Sequence, residues 1–408
     1  IYENMAKLLP GSYSVFENHQ WSEPKFYWSI EENVQQNELS LSEDKIEDLL
    51  EEKLFESIDS RMLSDVPLGC FLSGGIDSSL VTGIAQKLSS RPLKTFTVGF
   101  EDSAFNEAEY AKAVSEHLKT KHCEVMCTAD DATSVIDHLP EIWDEPFSDA
   151  SQIPTFLVSK VANQQVKVVL SGDGGDEIFC GYRRYTLGNS IYRKINAYPK
   201  WSRYVASKII TSLKLEKIDV FMKHLPSGYN IPRVGEKAGR MAKILTSKTQ
   251  EEFFYLLVSN YRIRHNLAGS LNMDANLINL GYDVPNFSNF QQKMMFWDTI
   301  GYLPGDILTK LDRASMAVGL EARAPFLSHD LLNFAWTVPH QMKVRNGKGK
   351  WILRRILERH VPNALFERPK KGFGVPIGIW LRGPLFSWAD RLLNEADLQE
   401  QRLFSSRN

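Results

Sequence analysis

The run Gly69–Leu80, GCFLSGGIDSSL, constrains the fold more than any other stretch of this chain. It reads as a buried strand, a glycine loop and a helix start in direct succession. Gly74 and Gly75 let the backbone turn sharply and bring its N–H groups against an anion, and Ser78 and Ser79 open a helix whose positive end faces the same spot. Ser73 and Ser78 add hydroxyl donors. Asp77 adds a carboxylate that would repel phosphate unless Mg²⁺ sat between them. The loop therefore reads as a metal and pyrophosphate cradle, against the blander alternative of an ordinary strand-to-helix turn. No Gly-Lys-Ser/Thr follows at Walker A spacing, so kinase or motor chemistry at a γ-phosphate is disfavoured.

Around this run the pattern alternates. Ser42 caps a helix through Glu43 to Arg61 with Ile46, Leu49, Leu50, Leu54 and Ile58 on one face. Strands are expected at 68–72, 93–100, 122–126 and 166–170, and helices at 78–88, 106–118, 130–143 and 153–164. Such alternation with short connections predicts an α/β fold, a doubly wound parallel sheet whose ligands bind beyond the carboxyl ends of the strands. After Tyr182 helical periodicity takes over, and the aromatic and Leu positions of 191–290 read as core rather than as a ligand box. Asn33 to Ser42 has the composition of a linker, and Leu9–Phe16 with Lys25–Trp28 alternates like a hairpin of short strands.

A chain of 408 residues is too long for one ordinary core. Its 43% hydrophobic and 24% charged content is that of a globular enzyme, and a net charge of −2 offers no global attraction to nucleic acid or an anionic membrane. No run is apolar enough to span a bilayer and no basic-then-apolar leader opens the chain, so a cytoplasmic location is expected. Cys70, Cys123, Cys127 and Cys180 are too few for a disulfide scaffold and suit reduced, buried thiols; Cys123 and Cys127 lack the partners a zinc site needs. The chain opens on Ile1, which reads as a start inside a longer product or one left by processing.

The second glycine loop, in Val168–Phe179, follows another β-rich run and carries Asp173, Asp176 and Glu177 within five residues. Acidic groups facing a polyphosphate are tolerable only if Mg²⁺ or an ammonium neutralises them, which makes Asp176 a candidate second metal carboxylate beside Asp77. The competing reading is a solvent-exposed acidic turn.

The string SGG-x-DS(S) on a strand, loop and helix resembles the signature of the N-type ATP pyrophosphatases, which break ATP between its α- and β-phosphates. With SGDGGDEIFCGY, then Leu303–Leu308, Lys310–Arg313 and Gly319–Leu327 in that order, the chain from about Leu41 to Arg382 resembles the synthetase domain of the glutamine-hydrolysing asparagine synthetase family. The opening segment is similar to the closing strands of that family's N-terminal glutaminase domain. The resemblance implies a sheet of the adenine-nucleotide α-hydrolase type followed by a mostly helical C-terminal region. It divides the chain into a glutaminase remnant and linker at 1–36, an ATP-pyrophosphatase core at 37–190 and a helical remainder at 191–408.

It also implies roles. Leu72 and Val98 match residues packing on the nucleoside; Ser73, Gly74, Gly75, Asp77 and Ser78 match the pyrophosphate and Mg²⁺ loop; Ser171 and Gly172 match backbone contacts to ATP. Asp173 stands where the family carries Glu, one methylene longer, beside the attacking ammonia. Glu321 matches a residue near the reacting centre, and Lys370 matches the lysine that neutralises charge on the α-phosphate, the competing reading for Lys370 and Lys371 being a solvated basic turn. The expected reaction is adenylation of the aspartate side-chain carboxylate, with pyrophosphate leaving, and then displacement of AMP by ammonia. Ammonia comes from glutamine in the whole protein, but no N-terminal Cys nucleophile is present, so this chain is expected to use free ammonium. The shorter Asp173 keeps open another carboxylate acceptor, such as a sugar uronic acid in polysaccharide assembly. A β-lactam-forming relative would carry Tyr there. A nucleotide-binding sensor is the non-enzymatic alternative. Relatives commonly dimerise, which leaves a homodimer possible.

Overall fold

The structure, a computed structural model, describes residues 5–34, 38–102, 105–213, 234–259, 284–287, 289–368 and 374–401. Two short antiparallel pairings come first. β1 (Ser12–Tyr13) pairs with β4 (Lys25–Phe26), and between them β2 (Phe16–Glu17) pairs with β3 (Gln20–Trp21). The stretch expected as a linker begins inside a short helix, α1 (Ile30–Val34). Ser42 then precedes α2 (Glu43–Met62), whose Ile46, Leu50, Leu54 and Ile58 are buried at the spacing of one helical face.

The sheet has five parallel strands in the order β7-β6-β5-β8-β9. These are β5 (Leu68–Phe71), β6 (Lys94–Gly99), β7 (Lys121–Met126), β8 (Val168–Leu170) and β9 (Glu321–Arg323). From β5 the chain steps outward through α3 (Ile76–Leu88) to β6 and through α4 (Ala108–Leu118) to β7. It returns by α5 (Ala129–Ile136), α6 (Leu139–Trp143) and α7 (Gln152–Asn163) to the other side of β5. The order of strands therefore reverses between β5 and β8, the place beyond whose carboxyl ends open α/β sheets bind ligands.

The period-two alternation of β6 sorts its two faces. Phe96 and Val98 join Ile153, Val158 and Ala162 of α7 in the main core, whereas Thr95 points the other way, 3.0 Å from the Thr120 hydroxyl and 2.9 Å from Nδ1 of His122.

Some elements depart from the sequence reading. The helix expected over 130–143 is broken at Asp137 and His138, because Pro140 in the first turn of α6 has no N–H to continue the preceding helix. The region expected to be helical supplies β9, three residues too short to show a strand period.

Contacts divide the chain into two compact units. The first runs to Gly181 and resumes over Met295–Trp388; it contains the sheet. The second begins at Tyr182, takes in Phe287–Met294 and consists, among the described residues, of helices. In it α9 (Arg183–Asn196) brings Tyr192 within 5.1 Å of Phe253 and 4.6 Å of Phe290, ring centre to ring centre. Tyr198, Trp201 and Tyr204, expected with the core, are exposed instead.

Candidate active site

Loop 72–75 is held by its own backbone and hydroxyls. Leu72 N–H donates to the Phe96 carbonyl at 2.9 Å and so extends the β5–β6 ladder by one residue. Ser73 N–H donates to Ser78 Oγ at 3.2 Å, Gly75 N–H to Ser73 Oγ at 3.3 Å, and the two hydroxyls lie 3.0 Å apart. Gly74 has φ +69°, and a Cβ there would lie 2.7 Å from the carbonyl carbon of Tyr110. Gly75 caps α3 without a side chain, which leaves the first-turn N–H groups uncapped. Uncapped first-turn N–H groups beside two hydroxyls are the donors an anion would need.

The second loop packs directly on the first. Ser171 N–H donates to the Arg323 carbonyl at 2.8 Å, Gly172 lies against the backbone of Asp77 and Ser78, and a Cβ on Gly175 would lie 2.7 Å from Cγ of Asp77. The short helix α8 (Gly175–Ile178) then presents Asp176. Asp77 and Asp176, 99 positions apart in the chain, thereby face one another.

Between them stands a residue the sequence reading did not single out. Lys350 is buried, its backbone N–H donates to the Phe179 carbonyl at 2.9 Å, and its ammonium binds Asp176 Oδ1 at 2.6 Å and Asp77 Oδ2. Burial alone would lower the Lys350 pKa, but the charges of Asp176 and Asp77 outweigh it and the pKa is raised. Lys350 sits at φ +55°, directly ahead of the helix Trp351–Leu357, after a turn that the sequence marks by its glycines. That turn was legible; the lysine beyond it was not, because nothing local distinguishes it from Lys348.

A third group of charges adjoins. Burial raises the pKa of Asp173 above the ordinary carboxylate value, with the Lys310 ammonium opposing. Lys310 itself is bound to Asp149 at 2.8 Å and to Ser151 Oγ at 2.9 Å. Asp149 also lines a cavity of about 440 Å³ with Pro146, Phe147, Ser148, Tyr302, Gly305 and Asp306. The last three lie on a π-helical segment, Asp298–Leu308, interrupted by Pro304. Wide helical turns of this kind recur at functional sites because they displace side chains from regular register.

The remaining expected residues fall as follows. Leu72 and Val98 are buried, Val98 in the main core. Glu321 lies on β9 level with Val168 and Leu68, toward the amino ends of the strands, and its exposed carboxylate pairs with Arg323 at 2.7 Å. The structure does not bring it to the loops. Lys370 lies outside the described residues. Its near neighbour Arg368 does reach the first loop: it donates to the Ser73 carbonyl at 3.4 Å, pairs with Glu107 at 2.8 Å and lies over the Tyr110 ring at 3.9 Å.

No group of three or more His, Cys, Asp or Glu able to hold a metal occurs among the described residues. Asp77 and Asp176 are of the ligand type that holds Mg²⁺ beside a nucleotide, and here one oxygen of each is taken by the Lys350 ammonium.

Known proteins resemble the chain over most of its length. The asparagine synthase family matches residues 49–407. Asparagine synthetase (glutamine-hydrolyzing) 1 of Bacillus subtilis is 31% identical over 358 residues, covering 87% of this chain and 53% of that protein. A putative asparagine synthetase (glutamine-hydrolyzing) of Mycobacterium tuberculosis is 34% identical over 345 residues, 82% of this chain and 49% of that protein. Amidase chyE of Penicillium rubens is 23% identical over 440 residues, 98% of this chain and 62% of that protein. The chain spans about half the length of the two synthetases. With motifs, sheet order and family match in agreement, the chain belongs to the asparagine synthase family.

Proposed function

We propose that this chain activates a carboxylate with ATP and transfers the acyl group to ammonia, aspartate supplying the carboxylate and asparagine being the product. The observation that supports this most is the Lys350 ammonium between Asp77 and Asp176, at the point where two glycine loops meet beyond the carboxyl ends of a parallel sheet. Binding a nucleotide for sensing alone needs no such buried ion cluster.

The chemistry follows from the charges. A carboxylate is a poor acyl donor, so its oxygen attacks the α-phosphorus of ATP, the bond to the β-phosphate breaks and pyrophosphate leaves. The uncapped N–H groups of α3 with the Ser73 and Ser78 hydroxyls receive that leaving group. Mg²⁺, when bound with the nucleotide by Asp77 and Asp176, would neutralise the polyphosphate. Lys350 keeps its proton and places a positive charge where negative charge builds on the phosphates. Ammonia then attacks the acyl carbon and AMP departs. Attack needs a proton acceptor, and Asp173, whose pKa is raised, holds a proton more readily than an exposed carboxylate would. The two synthetases are named glutamine-hydrolyzing, which supports glutamine as the source of that ammonia in the whole protein.

A second acceptor class has support of its own. The cavity beside Asp149 is roomy, Asp173 is one methylene shorter than the family's Glu, and a relative named as an amidase spans nearly the whole chain. The deciding experiment is pyrophosphate release with MgATP and ammonium, comparing aspartate, uronic acids and no acceptor, with mass detection of the amide. Asparagine formation is expected. Turnover only with a uronic acid would move the acceptor to the sugar class, and no release with any acceptor would overturn the proposal.

A further inference from the structure

Helix α10 (Lys200–Ser212) is built inside out. Its buried positions are polar: Arg203 and Ser207 are each 7% exposed, and Arg203 donates to Asn196 Oδ1 at 3.0 Å. Its large apolar positions face outward, with Trp201 71% and Ile209 59% exposed, Tyr204 and Val205 between them, and Leu213 just beyond. These residues recur at three- and four-residue spacing and form one stripe. A helix stabilised only by its own unit would bury that stripe and expose the arginine.

The charge along this stretch of the sequence has one sign. Residues 183–213 contain seven Arg or Lys and no Asp or Glu, in a chain with 48 basic and 50 acidic residues overall. Arg193, Lys194, Lys200 and Lys208 are exposed, Lys208 standing 5.5 Å from the Tyr204 ring. Tyr198 is exposed just ahead of the helix.

We propose that this face docks on an anionic lipid bilayer, α10 lying in the plane of the headgroups. The occupant must be anionic to suit these exposed cations, and must offer an apolar layer beneath its charges to take up Trp201, Val205 and Ile209. A bilayer surface has both, and Trp, Tyr and snorkelling Lys are the side chains that settle at such a boundary. A second copy meeting the same face across a two-fold axis would set the two cationic clusters against each other. A nucleic acid would match the charge and leave the Val, Ile and Leu side chains without a partner.

The test is co-sedimentation of the full chain with vesicles of phosphatidylcholine alone or mixed with phosphatidylglycerol. The chain is expected to pellet with the mixed vesicles and to be released by salt. The pairs Trp201→Glu with Ile209→Glu and Lys200→Glu with Lys208→Glu should each weaken partitioning at least about tenfold. Both substitute exposed positions, so unchanged thermal melting verifies that the fold is kept. Absence of pelleting, equal pelleting with neutral vesicles, or mixed-vesicle binding indifferent to both pairs would overturn the proposal. So would a solution dimer that Trp201→Glu dissolves while no vesicle binding is seen.

Discussion

Lys350 keeps its charge in a buried position because two carboxylates on different loops face it. Removing it would leave Asp77 and Asp176 opposed with nothing between them, a like-charge pair that costs stability as well as chemistry. Lys350→Met is therefore expected to cut pyrophosphate release by about 100- to 1,000-fold, and to lower the melting temperature. Lys350→Arg should not restore the rate, since a planar fork cannot occupy the point position of an ammonium. Release within twofold of the parent chain would remove Lys350 from the machinery. At this scale the sequence exposed the carboxylates, which stand in glycine loops with recognisable local grammar. It hid the lysine, which lies 273 positions after Asp77.

Elements carry their own consequences. Pro304 supplies no N–H inside the π-helical segment, and Thr309 Oγ1 donates to the Pro304 carbonyl at 2.8 Å, so the wide turn is satisfied as it stands. Pro304→Ala lets a regular turn compete and shifts Tyr302 and Asp306. The expected result is an acceptor KM raised by about tenfold with the KM for ATP unchanged; equal changes in both would detach the segment from the acceptor. The helix His340–Lys343 buries one base, Lys343, and half-buries another, His340. Burial lowers Lys343 to about 7 from 10.5, its ammonium nitrogen 4.7 Å from the Trp336 ring centre, and burial lowers His340 to about 4 from 6.5. In each case the unfolded chain binds a proton that the folded chain refuses, so stability rises with pH from 4 to 6.5 through His340 and from 7 to 10.5 through Lys343. Lys343→Met should flatten the upper window and raise the melting temperature near neutral pH by a few degrees, which a series of melts against pH would reveal. An unaltered upper slope would show that Lys343 is not its source.

At the largest scale the parallel sheet is what organises the first unit, and the cysteines report on how it is closed. Cys70, Cys127 and Cys180 are free thiols pushed up to about 12 by burial, while Cys123 is only partly covered. Thiol labelling near pH 8 should modify Cys123 in the folded chain and all four cysteines only after unfolding, as mass mapping of labelled peptides would show. Early labelling of Cys70 would mean that β5 is not closed in the sheet as described.

What the sequence by itself determined was local in origin. Alternating apolar runs, glycine loops and helical periodicity dictated a parallel α/β sheet with a tight glycine loop after β5, since each of those signals is written within about a dozen consecutive residues. What only the tertiary structure decided was long in range. β9 acquires its strand character by pairing with β8, Lys350 its role by meeting Asp77 and Asp176, and Glu321 its distance from the loops by its register. Likewise α10 shows which of its faces is outward only once its neighbours are in place. Pairing, burial and charge neutralisation are properties of neighbours in space, and no stretch of chain carries its spatial neighbours with it.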